Sequence, residues 1–495
     1  MNAFTKIVLW ASAWSAFALF AQPAAAIDWP QDPPKEEEVQ EPAPAESEAE
    51  EAEPEQEAEA EPEEEPKPKV NNSPYLAIIG GDVHTVTRGV LTDATVLCKD
   101  NRILKVGQDV RVPEGARTID ATGMHVYPGL VAADSRGIIR GSGTDAVDSF
   151  DPFSMYVDLG LASGLTTVQS SNAIGKLTRG TLEGHLLDTV KWVNLSYSSS
   201  SPANRRKVRA KLEDAREYMR QLRDAELAQQ MGEKDVKMPD EKMASKDYVG
   251  LLKGERTARF SANNAKDLLA LCELLEEYPM KSVIFGGLEA WTYASRLGRV
   301  DASVVVTPRR KRWADENLNR DSGWSIENAR ILWEHGVEVA ILPAQTSISL
   351  GGLAGRDLMN LPMEAAFAIR GGLPQDAALR SITINAARIL GVSDRVGSIE
   401  PGKDADLIVC NGDLFDYRTF VEWAVVNGRT VYDKQRASYF AHIRPRPEPE
   451  PSEVIETLVE VLDEMDETDS SSQDVDAPEE EPELVEADQP EKGDG

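Results

Sequence analysis

Histidine and cysteine, the side chains that most often bind transition metals, are scarce in this sequence. Five histidines and three cysteines occur among 495 residues, and Cys98, Cys272 and Cys410 lie far apart along the chain. This spacing excludes a disulfide framework and a zinc ribbon. The serine-hydrolase elbow, the zinc-peptidase motif, a complete P-loop and the dinucleotide-binding glycine loop are also missing, so the common catalytic motifs assign no function.

Basic residues are almost absent from the two ends of the chain. Residues 28–69 hold 18 acidic and 3 basic residues, and residues 447–495 hold 20 acidic and 1 basic residue. The body, residues 70–446, is nearly neutral with 47 acidic and 48 basic residues, although the net charge of the whole chain is −32. A neutral body between polyanionic tails lacks the basic surface that nucleic-acid binding requires, so no nucleic-acid partner is expected.

The apolar run near the start is too short to span a bilayer. Residues 7–20 form an uncharged run of 14 residues, whereas a membrane-spanning helix needs roughly 20. Lys6 precedes this run and the small residues Ala24–Ala26 follow it, which is typical of a secretory signal. We predict a signal peptide at residues 1–26 and an exported protein, periplasmic or secreted, with no membrane span after cleavage. The alternative is an uncleaved membrane anchor.

Both acidic ends have compositions that disfavour a packed core. Residues 27–70 are rich in Glu, Pro and Ala, which predicts a disordered acidic linker. Residues 437–495 form an acidic tail, in which apolar residues spaced by three and four predict a helix at 453–466. Two interpretations of that helix stay open: it docks on the body or on a partner, or it forms only transiently.

Strand-like segments at both ends of the body enclose a long stretch in which strands and helices alternate. We predict a composite β-sandwich from residues 71–128 and 391–436, with a hairpin at Asn427-Gly428. Alternation over residues 129–390 predicts a parallel sheet, open or closed, and this length suits an eight-stranded barrel. The expected fold class is therefore α/β: a (β/α)8 TIM-like barrel, a small β-sandwich and disordered tails.

Four motifs resemble the amidohydrolase superfamily, in particular its exported imidazolonepropionase-like branch. They are the entry to the first barrel strand, the last barrel helix, the strand that returns to the β-sandwich and its final hairpin: Gly123–Val131, Leu379–Gly391, Gly397–Val409 and Val426–Tyr432. The resemblance covers roughly residues 75–436. It implies a metal-activated water that hydrolyses amide, imide or ester bonds, held by a His-x-His pair, further histidines and a late aspartate.

At the positions where this resemblance places the metal ligands, the sequence has other residues. The His-x-His pair corresponds to Asp134 and Arg136, later histidines to Asn263 and Gly286, and the late aspartate to Ala344. We predict that these five positions line a ligand pocket, with no metal, no cofactor and no assigned catalytic residue. An arginine cannot become a metal ligand, and an Arg136–Asp134 ion pair is expected in place of the metal. The alternative is that both side chains only reach solvent.

A count of the histidines agrees with this interpretation. Of His84, His125, His185, His335 and His442, only His185 has a place in the sequence compatible with a barrel mouth, and one histidine does not make a hydrolytic zinc site. For each of the five, a surface or hydrogen-bonding role is expected rather than metal binding. The basic run at residues 309–312 is expected either to bind an anionic ligand or an acidic tail, or to be a solvated loop.

Three functions follow as hypotheses. The first is a catalytically inactive homologue that binds a small-molecule ligand or a partner, such as a catalytic homologue or a second copy of the chain. The second is a hydrolase of cyclic, non-peptide C–N bonds with an atypical site, in which case zinc is its cofactor. The third is an acidic envelope protein whose tails bind cations loosely.

Overall fold

The computed structural model describes residues 73–139, 149–233, 235–349 and 355–437. The predicted signal peptide, the acidic linker and the helix at 453–466 lie outside these residues. Within the described part of the chain, no helix is long and apolar enough to cross a membrane.

The strands of the described residues alternate with helices only in the middle of the chain. In chain order the strands are β1 (Tyr75–His84), β2 (Val90–Lys99), β3 (Arg102–Gly107), β4 (Arg117–Asp120), β5 (His125–Pro128), β6 (Leu130–Ala132), β7 (Leu165–Ser170), β8 (Ala173–Lys176), β9 (Leu186–Thr189), β10 (Trp192–Asn194), β11 (Thr257–Ala262), β12 (Ser282–Gly286), β13 (Ala302–Val306), β14 (Val339–Ile341), β15 (Leu407–Cys410), β16 (Val421–Val426) and β17 (Arg429–Asp433).

The helices differ widely in length. They are α1 (Met155–Ala162), α2 (Pro202–Gln230), α3 (Lys246–Lys253), α4 (Ala265–Glu277), α5 (Ala294–Arg299), α6 (Asn328–Glu334), α7 (Leu361–Arg370), α8 (Gln375–Ser381) and α9 (Ile384–Leu390), with short 3₁₀ turns at Glu241–Met243, Ala290–Tyr293 and Leu358–Asn360. The long helix α2 and the helix α3 form an insertion between β10 and β11.

One eight-stranded sheet takes its strands from both ends of the body. Its order is β17-β16-β15-β5-β1-β2-β3, and β4 also pairs with β1. The strand β5 joins the two groups, because it pairs parallel with β1 and antiparallel with β15. Asn427 and Gly428 both have positive φ in the turn between β16 and β17, as a tight hairpin requires.

The strands between β5 and β15 form two separate sheets, one mixed and one parallel, so the predicted closed eight-stranded barrel is not confirmed. One sheet has the order β6-β7-β8-β9 and the other β10-β11-β12-β13-β14. In the first sheet the edge of β7 is occupied by β8, which runs antiparallel to it. The two sheets meet at an isolated parallel bridge between Arg136 and Ser347, where the Arg136 amide donates to the Thr346 carbonyl oxygen at 2.8 Å.

A single large apolar core packs both of these sheets against the surrounding helices. Within the second sheet all neighbouring strands are parallel. Their carboxyl ends therefore lie at one edge, and the residues that follow β11, β12 and β14 meet there. In α/β folds of this kind, that edge is where ligand sites are built.

Candidate ligand site at the ends of the parallel strands

The structure brings all five predicted site residues to one cavity. Asp134, Arg136, Asn263, Gly286 and Ala344 line a cavity of about 380 Å³. Asp134 and Arg136 follow β6, Asn263 follows β11, Gly286 ends β12 and Ala344 follows β14. Their convergence follows from the shared direction of the strands that precede them.

The predicted ion pair between Asp134 and Arg136 is not formed in this structure, which corrects that expectation. A carboxylate oxygen of Asp134 instead accepts a hydrogen bond from the Thr346 hydroxyl at 3.1 Å. The expectation assumed that side chains alternate as they do along a strand, but β6 ends at Ala132. The chain bends at Ala133 and Asp134, and the side chain of Arg136 is exposed.

A third charged residue at the cavity, Arg259, was not predicted. Arg259 lies on β11 and is half-buried, with its guanidinium 4.2 Å from the Phe285 ring centre and 5.4 Å from the Trp192 ring centre. One terminal nitrogen donates to the Asn194 side chain at 3.2 Å, whereas its Nε is buried without a hydrogen-bond partner. A signal did exist, because Arg259 and Ser261 alternate along β11 and therefore share a face.

The two charges near Arg259 act on its pKa in opposite directions. Burial lowers the pKa of Arg259, nearby Asp134 raises that pKa, and nearby Arg136 lowers it. Arginine is so strong a base that its guanidinium stays protonated despite such a shift in pKa. The guanidinium of Arg259 is therefore a partly desolvated positive charge at the wall of the cavity.

The basic run at residues 309–312 contributes two arginines to ion pairs with glutamates and one arginine to the wall of the cavity. Arg309 binds the buried carboxylate of Glu364 at 2.6 Å, and Arg312 binds the buried carboxylate of Glu289 at 2.9 Å. Arg310, between them, lines the cavity. The run is therefore only in part the solvated loop that one interpretation predicted.

The side chain of Asn263 fills the space beside Gly286. A Cβ atom built on Gly286 would lie 2.2 Å from the Asn263 amide oxygen, and Gly286 has a φ of +105°. Both facts exclude an ordinary side chain at position 286 in this backbone. The Asn263 amide oxygen is itself buried without a hydrogen-bond partner.

A second cavity of about 470 Å³ adjoins the first and shares Asp134, Arg136 and Arg259 with it. Its remaining polar wall is neutral and comprises Ser135, Gln169, Ser170, Ser171, Asn172 and Asn194. The side-chain oxygens of Ser135 and Gln169 are buried without hydrogen-bond partners. This second space can hold a neutral group that hydrogen-bonds.

The donor set at the cavity does not fit a hydrolytic metal ion. In residues 73–139, 149–233, 235–349 and 355–437, no group of three or more His, Cys, Asp or Glu side chains is close enough to hold one. Among the described residues that line the cavity, Asp134 is the one carboxylate, and it stands beside the arginines Arg136, Arg259 and Arg310. A divalent cation needs several neutral or anionic ligands, and arginine supplies none.

Among the described residues, no histidine lines the cavity, and His185 has the hydrogen-bonding role that was expected for it. His185 is buried, its Nδ1 lies 2.6 Å from the Lys176 carbonyl oxygen, and its ring stacks on Phe150 at 3.6 Å. His84 and His125 share a hydrogen bond of 3.1 Å in the eight-stranded sheet. His335 lies at the end of α6, and His442 lies outside the described residues.

Comparisons with known proteins agree with this architecture. The model of the amidohydrolase family matches residues 290–434. The imidazolonepropionase of Mesorhizobium japonicum is 22% identical over 366 residues, which cover 65% of this chain and 87% of that protein. The crystal structure of an amidohydrolase from Thermotoga maritima superposes with a TM-score of 0.55 and 25% identity, covering 72% of this chain and all of the other. In sequence and in fold, the chain is similar to the amidohydrolase superfamily.

Other relatives in this superfamily match over shorter segments. Adenine deaminase 4 of Rhizobium meliloti is 33% identical over 152 residues, which cover 30% of this chain and 23% of that protein. An imidazolonepropionase of Porphyromonas gingivalis is 37% identical over 67 residues, covering 12% of this chain and 16% of that protein. The chain thus matches less than a quarter of the length of these two relatives, and the superfamily supplies its fold but not its reaction.

Proposed function

We propose that this amidohydrolase-like protein binds a small molecule at the strand ends without metal-dependent hydrolysis. One observation supports the proposal above all: Asp134, Arg136, Asn263, Gly286 and Ala344 line a single cavity. At that cavity, one positive side chain, Arg136, occupies a position where a metal ligand is expected, and Arg259 and Arg310 add two more positive charges. The proposed role is binding by a homologue that has no hydrolytic centre.

Electrostatics argues against a metal ion at this position. A hydrolytic metal lowers the pKa of a bound water because its own charge is held close by anionic and neutral ligands. Here Arg136, Arg259 and Arg310 place three positive charges around one carboxylate, that of Asp134. These charges would repel a divalent cation, and arginine does not lose its proton at neutral pH.

The dimensions of the site support binding of a small molecule. The two adjoining cavities have volumes of about 380 and 470 Å³, within the range of about 300–1,000 Å³ that is common for ligand sites. Among the described residues, the buried oxygens of Asn263, Ser135 and Gln169 have no hydrogen-bond partner. Such groups are costly to bury unless a ligand or water completes their bonding.

Elemental analysis of the purified full chain tests this proposal. We expect well under one zinc per chain after dialysis without chelator, and no hydrolysis of cyclic amides such as hydantoin or dihydrouracil with or without added zinc. Asp134→Asn is the matched variant, since it removes the carboxylate from the cavity. Stoichiometric zinc that is lost in Asp134→Asn, together with chelator-sensitive hydrolysis, would refute the proposal.

We also propose that the protein is exported. The basis is the apolar run of residues 7–20 between Lys6 and Ala24–Ala26, which is typical of a cleaved signal. Sequencing the amino terminus of the protein from its native host tests this. Cleavage after Ala26 supports export, whereas an intact Met1 in the cytoplasmic fraction contradicts it.

A further inference from the structure

Three arginines at the cavity form no ion pair. Arg136, Arg259 and Arg310 line the same cavity, and within the described residues none of them has a carboxylate within 4 Å. By contrast, the neighbouring Arg309 and Arg312 each bind a buried glutamate. The cavity therefore holds three positive charges without a carboxylate partner among the described residues, two on exposed side chains and one on the half-buried Arg259.

Arg259 carries the inference furthest, because it is half-buried and incompletely bonded. Its guanidinium has five N–H donors, of which one binds the neutral Asn194 side chain. Its Nε is buried without a partner. Removing a charged donor from water without a compensating acceptor is costly, and the rings of Phe285 and Trp192 offset only part of that cost.

An anion is the chemical partner that this geometry lacks. A planar guanidinium binds a carboxylate or a phosphate through two parallel hydrogen bonds. Asp134 does not serve as that partner, since its carboxylate accepts from Thr346 and makes no ion pair with the arginines. With three positive charges and one negative charge, the cavity keeps a formal excess of two positive charges.

We infer that the ligand is a small organic anion whose carboxylate or phosphate group binds Arg259, assisted by Arg136 and Arg310. Its neutral, hydrogen-bonding part occupies the adjoining cavity lined by Gln169, Ser170 and Asn172. This inference rests on the proposed function and adds the chemical class of the ligand. It requires no metal and no covalent step.

Calorimetric titration of the full chain, in the presence of a chelator and at constant ionic strength, tests the inference. The probes are glutarate, inorganic phosphate and the uncharged glutaramide, with chloride as the background anion. We expect saturable binding of glutarate or phosphate, and at least tenfold weaker binding of glutaramide. A charge-assisted hydrogen bond contributes an effect of about that size.

Variants at the cavity distinguish the site from general attraction to a protein surface. Arg259→Met is expected to weaken anion binding at least tenfold, and Arg310→Ala several-fold. Arg206→Ala, an exposed arginine on α2, is the matched control and is expected to bind as the wild type does. If Arg259→Met does not fold, Arg310→Ala and Arg136→Ala decide, because both side chains are exposed.

The outcomes separate this inference from the proposed function. Equal affinity for glutaramide and glutarate, or unchanged anion binding in all three cavity variants, would overturn the anion assignment but leave metal-free binding intact. Zinc-dependent hydrolysis would instead overturn the proposed function. Anion binding that falls in the cavity variants, but not in Arg206→Ala, supports the inference.

Discussion

Two charged clusters in this protein differ in how completely their central cation is paired with carboxylates and hydrogen-bond acceptors. Lys176, at the end of β8, is fully buried, and its Nζ lies 2.5 Å from an Asp404 oxygen and 2.8 Å from an Asp406 oxygen. It also donates to the Asn427 side chain at 2.7 Å. Arg259, at the cavity, has one neutral side chain as its hydrogen-bond partner. The first cation is saturated and the second is not.

This difference indicates a structural role for the Lys176 cluster and a ligand-binding role for the cavity. Lys176 connects β8 to the segment before β15 and to the β16–β17 turn, so it joins the mixed sheet β6-β7-β8-β9 to the eight-stranded sheet. Asp404 is further bound by Arg102 at 2.7 Å and Arg395 at 2.8 Å. A fully compensated cluster holds the fold together, whereas an uncompensated one has capacity left for a ligand.

The largest expected effect is at the saturated cluster. Lys176→Met removes the cation and leaves the carboxylates of Asp404 and Asp406 buried. Breaking a buried ion pair from one side typically costs about 3–5 kcal/mol, so we expect a loss of that order in the free energy of unfolding. Denaturation with urea, followed by circular dichroism, measures it.

Arg102→Ala is the matched control for this prediction. Arg102 binds the same carboxylate, but 44% of its side chain is exposed. Exposed ion pairs contribute roughly 0–1 kcal/mol, so the control is expected to lose about 1 kcal/mol or less. Equal losses in Lys176→Met and Arg102→Ala would show that burial does not decide the strength of this cluster.

Sequence reasoning reached the location of the cavity but not its chemistry. The positions Asp134, Asn263 and Ala344 were predicted from the resemblance to the amidohydrolase superfamily, and they meet in the structure because each follows a strand whose carboxyl end lies at this edge. Whether the ion pair forms could not be predicted, because it depended on the residue at which β6 ends. Arg259 was not predicted, because the sequence of a strand does not show which residues of neighbouring strands surround a charged side chain within it.

The same limit applies to the architecture. The Asn427-Gly428 turn could be predicted from two residues, since the turn type requires them. Closure of a barrel depends on hydrogen bonds between distant strands, and short strands such as β6 and β14 carry little local signal. Alternation of helices and strands therefore predicted parallel pairing but not the two separate sheets.

The second expected effect is at the wall of the cavity. Gly286→Ala should destabilise the protein by about 1–3 kcal/mol, because the added Cβ would meet the Asn263 amide oxygen and the backbone φ is +105°. The double variant Gly286→Ala, Asn263→Ala should lose less than the single variants predict by addition. Thermal unfolding of all three variants measures this coupling.

Gly391→Ala is the control for backbone strain alone. Gly391 also has a positive φ, of +81°, but a Cβ atom added there would meet no atom within 4 Å. Its substitution should cost about 1 kcal/mol. A Gly286→Ala variant no less stable than Gly391→Ala would mean that Asn263 moves aside freely, so that the wall of the cavity is not packed.

The third expected effect concerns pH and falls on the eight-stranded sheet. Burial, followed by the neighbouring charge of His125, lowers the pKa of His84 from 6.5 to about 4, although Asp413 and Asp82 oppose the shift. Above pH 6.5 His84 is neutral in both the folded and the unfolded state. Between pH 6.5 and 4 the unfolded state binds the proton first, so stability is lost as pH falls through this window.

Urea denaturation at several pH values tests this expectation. His84→Gln should flatten the dependence between pH 6.5 and 4, whereas His335→Gln, at an exposed histidine, should leave it unchanged. The arginines at the cavity keep their charge throughout this range. If the free energy of unfolding of His84→Gln still falls between pH 6.5 and 4 as it does in the wild type, another group causes the loss. The pH dependence would then not distinguish the sheet from the cavity.

The smallest expected effect is the one that decides the comparison. Arg259→Met should change the free energy of unfolding by no more than about 1 kcal/mol, because losing the bond to Asn194 is offset by removing an uncompensated buried charge. Added glutarate should then raise the melting temperature of the wild type and not that of the variant, since a ligand stabilises only the protein that binds it. If Arg259→Met were as destabilising as Lys176→Met, Arg259 would be a structural cation like Lys176. The excess of positive charge at the cavity would then no longer argue for a ligand.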